Sequence, residues 1–310
     1  MNKSVQDKLQ DILTNAQWTQ EQLAHYLGVT FSTLNGWVNG KASPRAKALH
    51  KIDETYLSIV GHTSFDQAML EKAKQQALSQ KTNLKEIITS EQLLEKVTLY
   101  LTYHTNTIEG STMTLSDVKE VLEDDNKVLT NKTAKEQTEA RNHRTALFYL
   151  LDELAAEGKD FMWTKELILS THLRLMNTLI SNAGNFRNHD VRIQGSPIKL
   201  IGHSKVDAYI EELIGDLNKP FSDIIDNIAS LHARFERIHP FSDGNGRTGR
   251  LIMFIQALQS GLVPPLILKE RKHAYYKYLE IADLDGKTEL LSLFIAESMI
   301  AAGTIFFQER

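Results

Sequence analysis

The feature that most restricts this 310-residue chain is the recurrence of apolar side chains three and four positions apart, with only six prolines to interrupt them. Leu93, Leu94, Val97 and Leu101, then Leu147, Leu150, Leu151 and Leu154, then Leu231, Phe235 and Ile238 each trace one stripe along a helix. Such stripes must bury helix against helix, so the fold class expected is all-α. One stretch breaks the period. Between Gly184 and Ile201, Val191 and Ile193 alternate with polar residues, Gly195-Ser196-Pro197 interrupts, and Ile198 and Leu200 alternate again, predicting a small β-hairpin. The pattern is weakest over 61–64 and 123–130. Those weak stretches suggest a small domain over 1–60, a helical linker over 61–90, a helical region over 91–125 and a larger domain over 126–310.

Composition removes several function classes. The net charge of −4 supplies no overall basic excess to draw the chain onto nucleic acid or anionic lipid, so any such binding must be local. With no cysteine there is no disulfide, thiolate nucleophile or thiolate metal site, which suits a reducing, cytoplasmic setting. The start of the chain lacks the apolar core of a secretory signal, and no run of about eighteen apolar residues is apparent, so no membrane partner is expected.

Near the start, WTQEQLAHYLGVTFSTLNGWVNGK places Thr19 and Gln22 as a capping box, Ala24 where two helices would cross, Gly28 at a turn, and Val29, Leu34 and Trp37 in a small core. This segment resembles the helix-turn-helix of phage-repressor-like proteins. Its second helix would present Thr30, Ser32, Thr33 and Asn35 to base edges or phosphates. Lys3, Lys8, Lys41, Arg45 and Lys47 stand against Asp7, Asp11 and Glu21. That modest excess makes a homodimer the form expected to hold DNA. The competing expectation is a module that docks only to protein.

The chemistry concentrates in HPFSDGNGRTGR, residues 239–250, which lies between two helical stripes and leads into a helix N-terminus. Such an end offers unpaired N–H groups and partial positive charge to a phosphate, and Gly244, Gly246 and Gly249 allow close backbone approach. Arg247 and Arg250, three apart, can share one helix face and grip successive phosphates; Asn245 can donate to a phosphate oxygen. Asp243 would repel phosphate unless a divalent cation intervenes, which points to Mg²⁺. His239 is the side chain able to take a proton near neutral pH. Base, metal and phosphate ligands together read as a phosphate-transfer site.

These residues match the Fic motif, HxFx[D/E]GNGRxxR, at every specified position, and the chain resembles the Fic family from about Glu91 onward. Gly184-Asn185-Phe186-Arg187 followed by Val191 and Ile193 looks like the family's flap hairpin, and Tyr275-Tyr276 looks like its nucleoside-contacting segment. The resemblance implies transfer of AMP from ATP to a Ser, Thr or Tyr hydroxyl of a protein, or of the chain itself, with release of pyrophosphate. By position His239 would be the base and Phe241 the loop anchor. Asp243 would be the Mg²⁺ ligand. Gly244, Asn245, Gly246, Arg247, Thr248, Gly249 and Arg250 would bind nucleotide, and Tyr275, Tyr276 and Asp283 would border the adenosine. The flap, Val191, Arg192, Ile193 and Gln194, would pair with an extended target backbone. The scattered His104, His143, His172 and His232 are expected as buried or helix-face residues rather than metal ligands.

Upstream, Thr105, Glu109 and Gly110 sit one helical turn apart and at a helix stop, and match the family's inhibitory motif, [S/T]xxxE[G/N]. The resemblance implies that Glu109 pairs with Arg250 and displaces the γ-phosphate. The same glutamate would be placed to activate water for removal of AMP. The alternative reading is a DNA-binding regulator whose nucleotide domain senses ATP. Transfer of another phosphate-containing group is a further alternative.

Overall fold

Local signals start and stop most helices. The computed structural model describes residues 3–60, 66–193 and 198–308. They divide into two compact units, Met1–Gln67 with His273–Lys277, and Ala68–Lys272 with Tyr278–Arg310.

In the first unit α1 (Val5–Ala16), α2 (Gln20–Leu27), α3 (Phe31–Val38) and α4 (Ala46–Ile59) enclose Leu9, Ile12, Leu23, Leu34 and Ile52, all fully buried. Ser4 with Asp7, and Thr19 with Gln22, close reciprocal capping boxes. Gly28, at φ +73°, makes the left-handed turn between α2 and α3. Ser32 and Thr33 are exposed on α3, as expected. Thr30 is exposed too and is the N-cap, its hydroxyl accepting from the Thr33 N–H at 3.2 Å. Asn35 differs from expectation. It is half-buried, its Nδ2 donating to Gln20 Oε1 of α2 at 3.3 Å and its Oδ1 accepting from Asn39 Nδ2, at the C-cap of α3, at 2.8 Å.

The second unit is built on α5 (Gln67–Ser79), α6 (Leu84–Thr89), α7 (Glu91–Ile108), α8 (Leu115–Glu123), α9 (Ala134–Glu157), α10 (Lys165–Leu175), α11 (Val206–Leu217), α12 (Ile224–Ile238), α13 (Asn245–Gln259), the part of α14 (Lys272–Asp285) from Tyr278 onward, and α15 (Glu289–Gly303), the last continued by a π-helical turn, Thr304–Gln308. Ser90 caps α7 and Thr133 caps α9. The predicted stripes lie in one core: Leu93, Val97 and Leu101 of α7, Leu147, Leu150, Leu151 and Leu154 of α9, and Leu231, Phe235 and Ile238 of α12. Each such side chain contributes about 1.5–3 kcal/mol on burial, more than the roughly 1 kcal/mol of a cap, so packing decides where the helices lie. α13 runs through this core with Leu251, Met253, Phe254 and Ile255 buried, and α7, α9, α10 and α12 all pack on it.

Two expectations need correction. Glu289–Phe307 is apolar enough, at mean hydropathy 1.9, and long enough to cross a membrane, although the sequence reading found no such run. Its Leu291, Phe294, Ile295, Ala296, Met299 and Ala302 are fully buried, so its uniform apolarity matches a core helix. Nor is a β-ladder formed between 191–193 and 198–200 among the described residues. The turn of that predicted hairpin, Gln194 to Pro197, lies outside the described residues. A short isolated strand pair has little to stabilise it in water, and nearby main-chain groups bond to the core instead: the Ile201 N–H donates to Arg237 O at 3.2 Å.

Candidate active site

The loop from α12 to α13 is built around a residue in an uncommon conformation. His239 ends α12 at φ +48°, in the left-handed region, with its N–H donating to Phe235 O at 2.9 Å. Its Nδ1 lies 3.1 Å from Glu236 O, which requires the proton on Nδ1 and leaves Nε2 as the free base. Burial pushes the imidazole pKa down, and the Arg187 charge pushes the same way against the Glu236 carbonyl. The shift favours the neutral imidazole, and Nε2 is left open to accept a proton.

Phe241 is fully buried and its ring stacks on His172, with centroids 3.6 Å apart and planes 4° from parallel. His172 accepts from the Gly184 N–H at Nδ1 (3.0 Å) and so donates from Nε2 to Asp243 O (2.9 Å). Burial holds its pKa near 4. Asn245 Oδ1 accepts from the Phe241 N–H at 2.8 Å, and its Nδ2 donates to Phe241 O at 2.9 Å. This corrects one expected role: the buried Asn245 amide closes the loop on itself instead of facing a phosphate. Thr248 likewise returns its hydroxyl to Gly244 O at 2.9 Å.

Gly244, at φ +82°, opens α13, whose first-turn N–H groups have no intrahelical acceptor. Gly246 lies directly under the Glu109 carboxylate, and a Cβ there would meet Glu109 Oε1 and, at 2.9 Å, Arg250 Nη1. Gly249 serves a different purpose from the one expected. A Cβ there would lie 2.9 Å from His232 and 3.0 Å from Phe235 and Glu236, so this glycine lets α12 and α13 cross closely.

The charged side chains are distributed around that helix end. Arg247 pairs with Glu139 of α9 at 3.1 Å and with Asp243 Oδ1 at 3.4 Å. Arg250 donates from Nε to Thr105 Oγ1 at 2.6 Å and from Nη2 to Glu109 Oε1. α7 ends there because Gly110 takes φ +106°. A carboxylate thus occupies the anion-binding end of α13. Glu236, buried beneath, has its pKa raised to about 7 by burial, with the Glu109 charge adding to the shift and Arg250 opposing it. Asp243 is half exposed at 48%, with Oδ1 accepting from the Gly244 N–H at 2.6 Å and no hydrogen bond from a described residue to Oδ2. One such carboxylate beside a phosphate cradle suits Mg²⁺, which takes one or two carboxylates and completes its shell with water and substrate oxygens. Among the described residues no three His, Asp or Glu side chains cluster as a ready-made metal site.

The remaining candidates lie outside residues 239–250. Tyr275 is buried at 1% and Tyr276 is exposed, with rings 5.3 Å apart. Asp283, expected at the adenosine, pairs with Arg237 Nε at 3.2 Å and is mostly buried. Val191, Arg192 and Ile193 lie outside regular secondary structure, and Gln194 outside the described residues. His104 accepts from the Lys269 N–H at 3.1 Å, His143 bonds Thr102 Oγ1 at 2.8 Å, and His232 is buried under Gly249, all as expected of structural histidines. Sequence reading did not single out Glu236, Glu139 or the bridging role of His172. The one available signal was the spacing of Glu236, three residues before His239.

Residues 163–257 match the Fic/DOC family, and residues 9–56 match a helix-turn-helix family. The protein adenylyltransferase Fic of Culex quinquefasciatus is 32% identical over 199 residues, 63% of this chain and 39% of that protein. The protein adenylyltransferase fic-1 of Caenorhabditis elegans is 30% identical over 186 residues, 59% of this chain and 36% of that protein. The chain thus spans under two fifths of the length of these curated relatives. Among solved structures, a Fic-1 fragment from C. elegans superposes with TM-score 0.66 at 22% identity, covering 93% of this chain and 84% of that one. A Fic-domain signalling protein of Bacteroides thetaiotaomicron gives 0.65 at 21%, covering 78% and 99%. The loop built around His239 therefore lies inside the segment that matches the Fic/DOC family, and the helix-turn-helix match precedes that segment in the chain.

Proposed function

We propose that the protein is a self-inhibited adenylyltransferase that moves AMP from ATP to a Ser, Thr or Tyr hydroxyl of a protein, the chain itself included. The reading rests on one placement above all: the Glu109 carboxylate sits on Arg250 at the α13 N-terminus, where a triphosphate would lie. In the reaction the target O–H gives its proton to His239 Nε2 as its oxygen bonds to the α-phosphorus. The bond to the β-phosphate oxygen breaks, and pyrophosphate leaves. The α13 amides, with Arg247 and Arg250, take up the charge that develops on the phosphates. Asp243 would hold Mg²⁺, which supplies charge neutralisation between the phosphates.

While Glu109 holds Arg250, that guanidinium is taken from the γ-phosphate and ATP lies out of line for attack. The Glu109 carboxylate could also take a proton from water attacking an AMP-modified side chain, making removal of AMP a second activity of the same site. ATP labelled at the α-phosphorus is incubated with the Glu109→Gly variant and host lysate, in parallel with γ-labelled ATP. Protein labelling from the α-label alone supports AMP transfer; labelling from the γ-label alone would mean phosphoryl transfer and sink it.

A second reading adds to the first. The exposed Ser32 and Thr33 on α3 favour contact with DNA through the N-terminal unit. Retention on a DNA column that weakens with salt is expected of it, and salt-independent retention or none favours a protein-docking role.

A further inference from the structure

Arg187 is a buried cation, its side chain fully excluded from solvent, with no buried carboxylate paired to it among the described residues. Its Nε donates to His239 O at 2.7 Å, Nη1 to His189 O at 2.9 Å, and Nη2 to Ile238 O at 3.3 Å and to Ile201 O. Its own N–H donates to Pro240 O at 2.9 Å. The nearest carboxylate, Asp190, is 3.5 Å away and largely exposed. A guanidinium buried among carbonyl dipoles is a costly way to fill space, since an apolar side chain would do so without desolvating a charge.

The carbonyls fall into two sets. His189 and Ile201 lie on either side of Val191–Ile193, the described part of the segment proposed to hold the target backbone. Ile238 and His239 carry the base. Only a planar fork with several donors can reach both sets at once; a lysine ammonium cannot span them in one geometry. His239 needs such a hold because its left-handed backbone is disfavoured for a residue with a side chain.

We infer that Arg187 is a positioning residue that straps the target-holding segment to His239, so that a presented hydroxyl meets Nε2 at one fixed separation. The inference rests on the adenylyltransferase reading. A misplacement of about 1 Å costs on the order of a hundredfold in rate without touching nucleotide binding.

The test compares Glu109→Gly with Glu109→Gly/Arg187→Lys, reading label transfer from α-labelled ATP to lysate proteins and ATP affinity by calorimetry. Labelling is expected to fall at least about tenfold in the double variant, with ATP affinity within about twofold. Unchanged labelling, or parallel loss of labelling and affinity, overturns the inference. If the lysine variant does not fold, the exchange rate of the Arg187 Nε–H in wild-type protein, read by nitrogen-15 NMR, decides it. A proton held on His239 O is protected, and exchange as fast as in a solvated guanidinium overturns the strap. If Glu109→Gly with Arg187 intact labels nothing, it is the transfer reading that has failed, and the NMR measurement still tests the strap alone.

Discussion

Arg250 of α13 ion-pairs with Glu109 at the end of α7, a residue 141 positions earlier in the chain, and the same guanidinium bonds Thr105 one helical turn before it. Thr105 and the α7 C-cap Glu109 therefore hold one cation of α13 between them.

Removing the glutamate is expected to release that cation to a γ-phosphate. A charge-assisted hydrogen bond contributes about 1.5–3 kcal/mol, which corresponds to roughly ten- to hundredfold in the population of the productive state. Glu109→Gly should raise label transfer from α-labelled ATP by that factor. Equal labelling by wild type and variant would rule out the brake.

Thr105→Val should act in the same direction but less strongly, since it deletes the 2.6 Å bond to Arg250 Nε and leaves the carboxylate in place. Roughly a three- to tenfold rise in labelling is expected. A rise above that of Glu109→Gly would show that the hydroxyl, and not the carboxylate, holds Arg250.

In the Glu109→Gly background, His239→Ala should reduce labelling by about 10²–10⁴-fold, the usual contribution of a positioned general base, with ATP affinity retained. Retained labelling would move the base to another residue.

Gly249→Ala separates packing from phosphate binding. Its Cβ would meet His232, Phe235 and Glu236 at 2.9–3.0 Å, so overpacking should cost about 1–3 kcal/mol, visible as a lower thermal midpoint. A normal midpoint with weakened ATP binding would return Gly249 to the cradle.

Acid should destabilise the fold early. Burial holds His143 and His232 near pKa 3 and His104 and His172 near 4, against an ordinary 6.5. Below pH 6.5 the unfolded chain takes up protons that the folded one does not. The stability these neutral imidazoles contribute is therefore complete above 6.5 and lost as pH falls toward 3. Glu236, raised from 4.5 to about 7, acts in the opposite sense between those values and offsets one histidine. The urea midpoint should fall steadily from pH 6.5 to 5, by roughly 1.4 kcal/mol of stability per pH unit for each unopposed histidine. A flat profile would mean that these imidazoles are charged in the folded protein.

Helices and their ends were legible because their causes are local. The stripe of Leu93, Val97 and Leu101, the Thr19–Gln22 box and the stop at Gly110 each involve residues within a few turns of one another. The loop 239–250 was legible because base, acid, glycines and arginines are contiguous in the sequence. The hairpin was not: alternation signals a strand only when a partner strand or core takes up its main chain, and here Arg187 and Arg237 engage Ile201 instead.

Residue type and spacing, by themselves, determined an all-α chain with a histidine, a carboxylate and two arginines at a helix N-terminus, and a glutamate at the end of an earlier helix. Which way each side chain turned was decided only by tertiary packing. Asn245 faces its own loop, Gly249 admits α12, Glu109 reaches Arg250, and Arg187 joins four carbonyls from distant positions. A hydrogen-bonding group buried on folding takes the partner that the packed helices bring within about 3 Å, and that choice has no local signature in the chain.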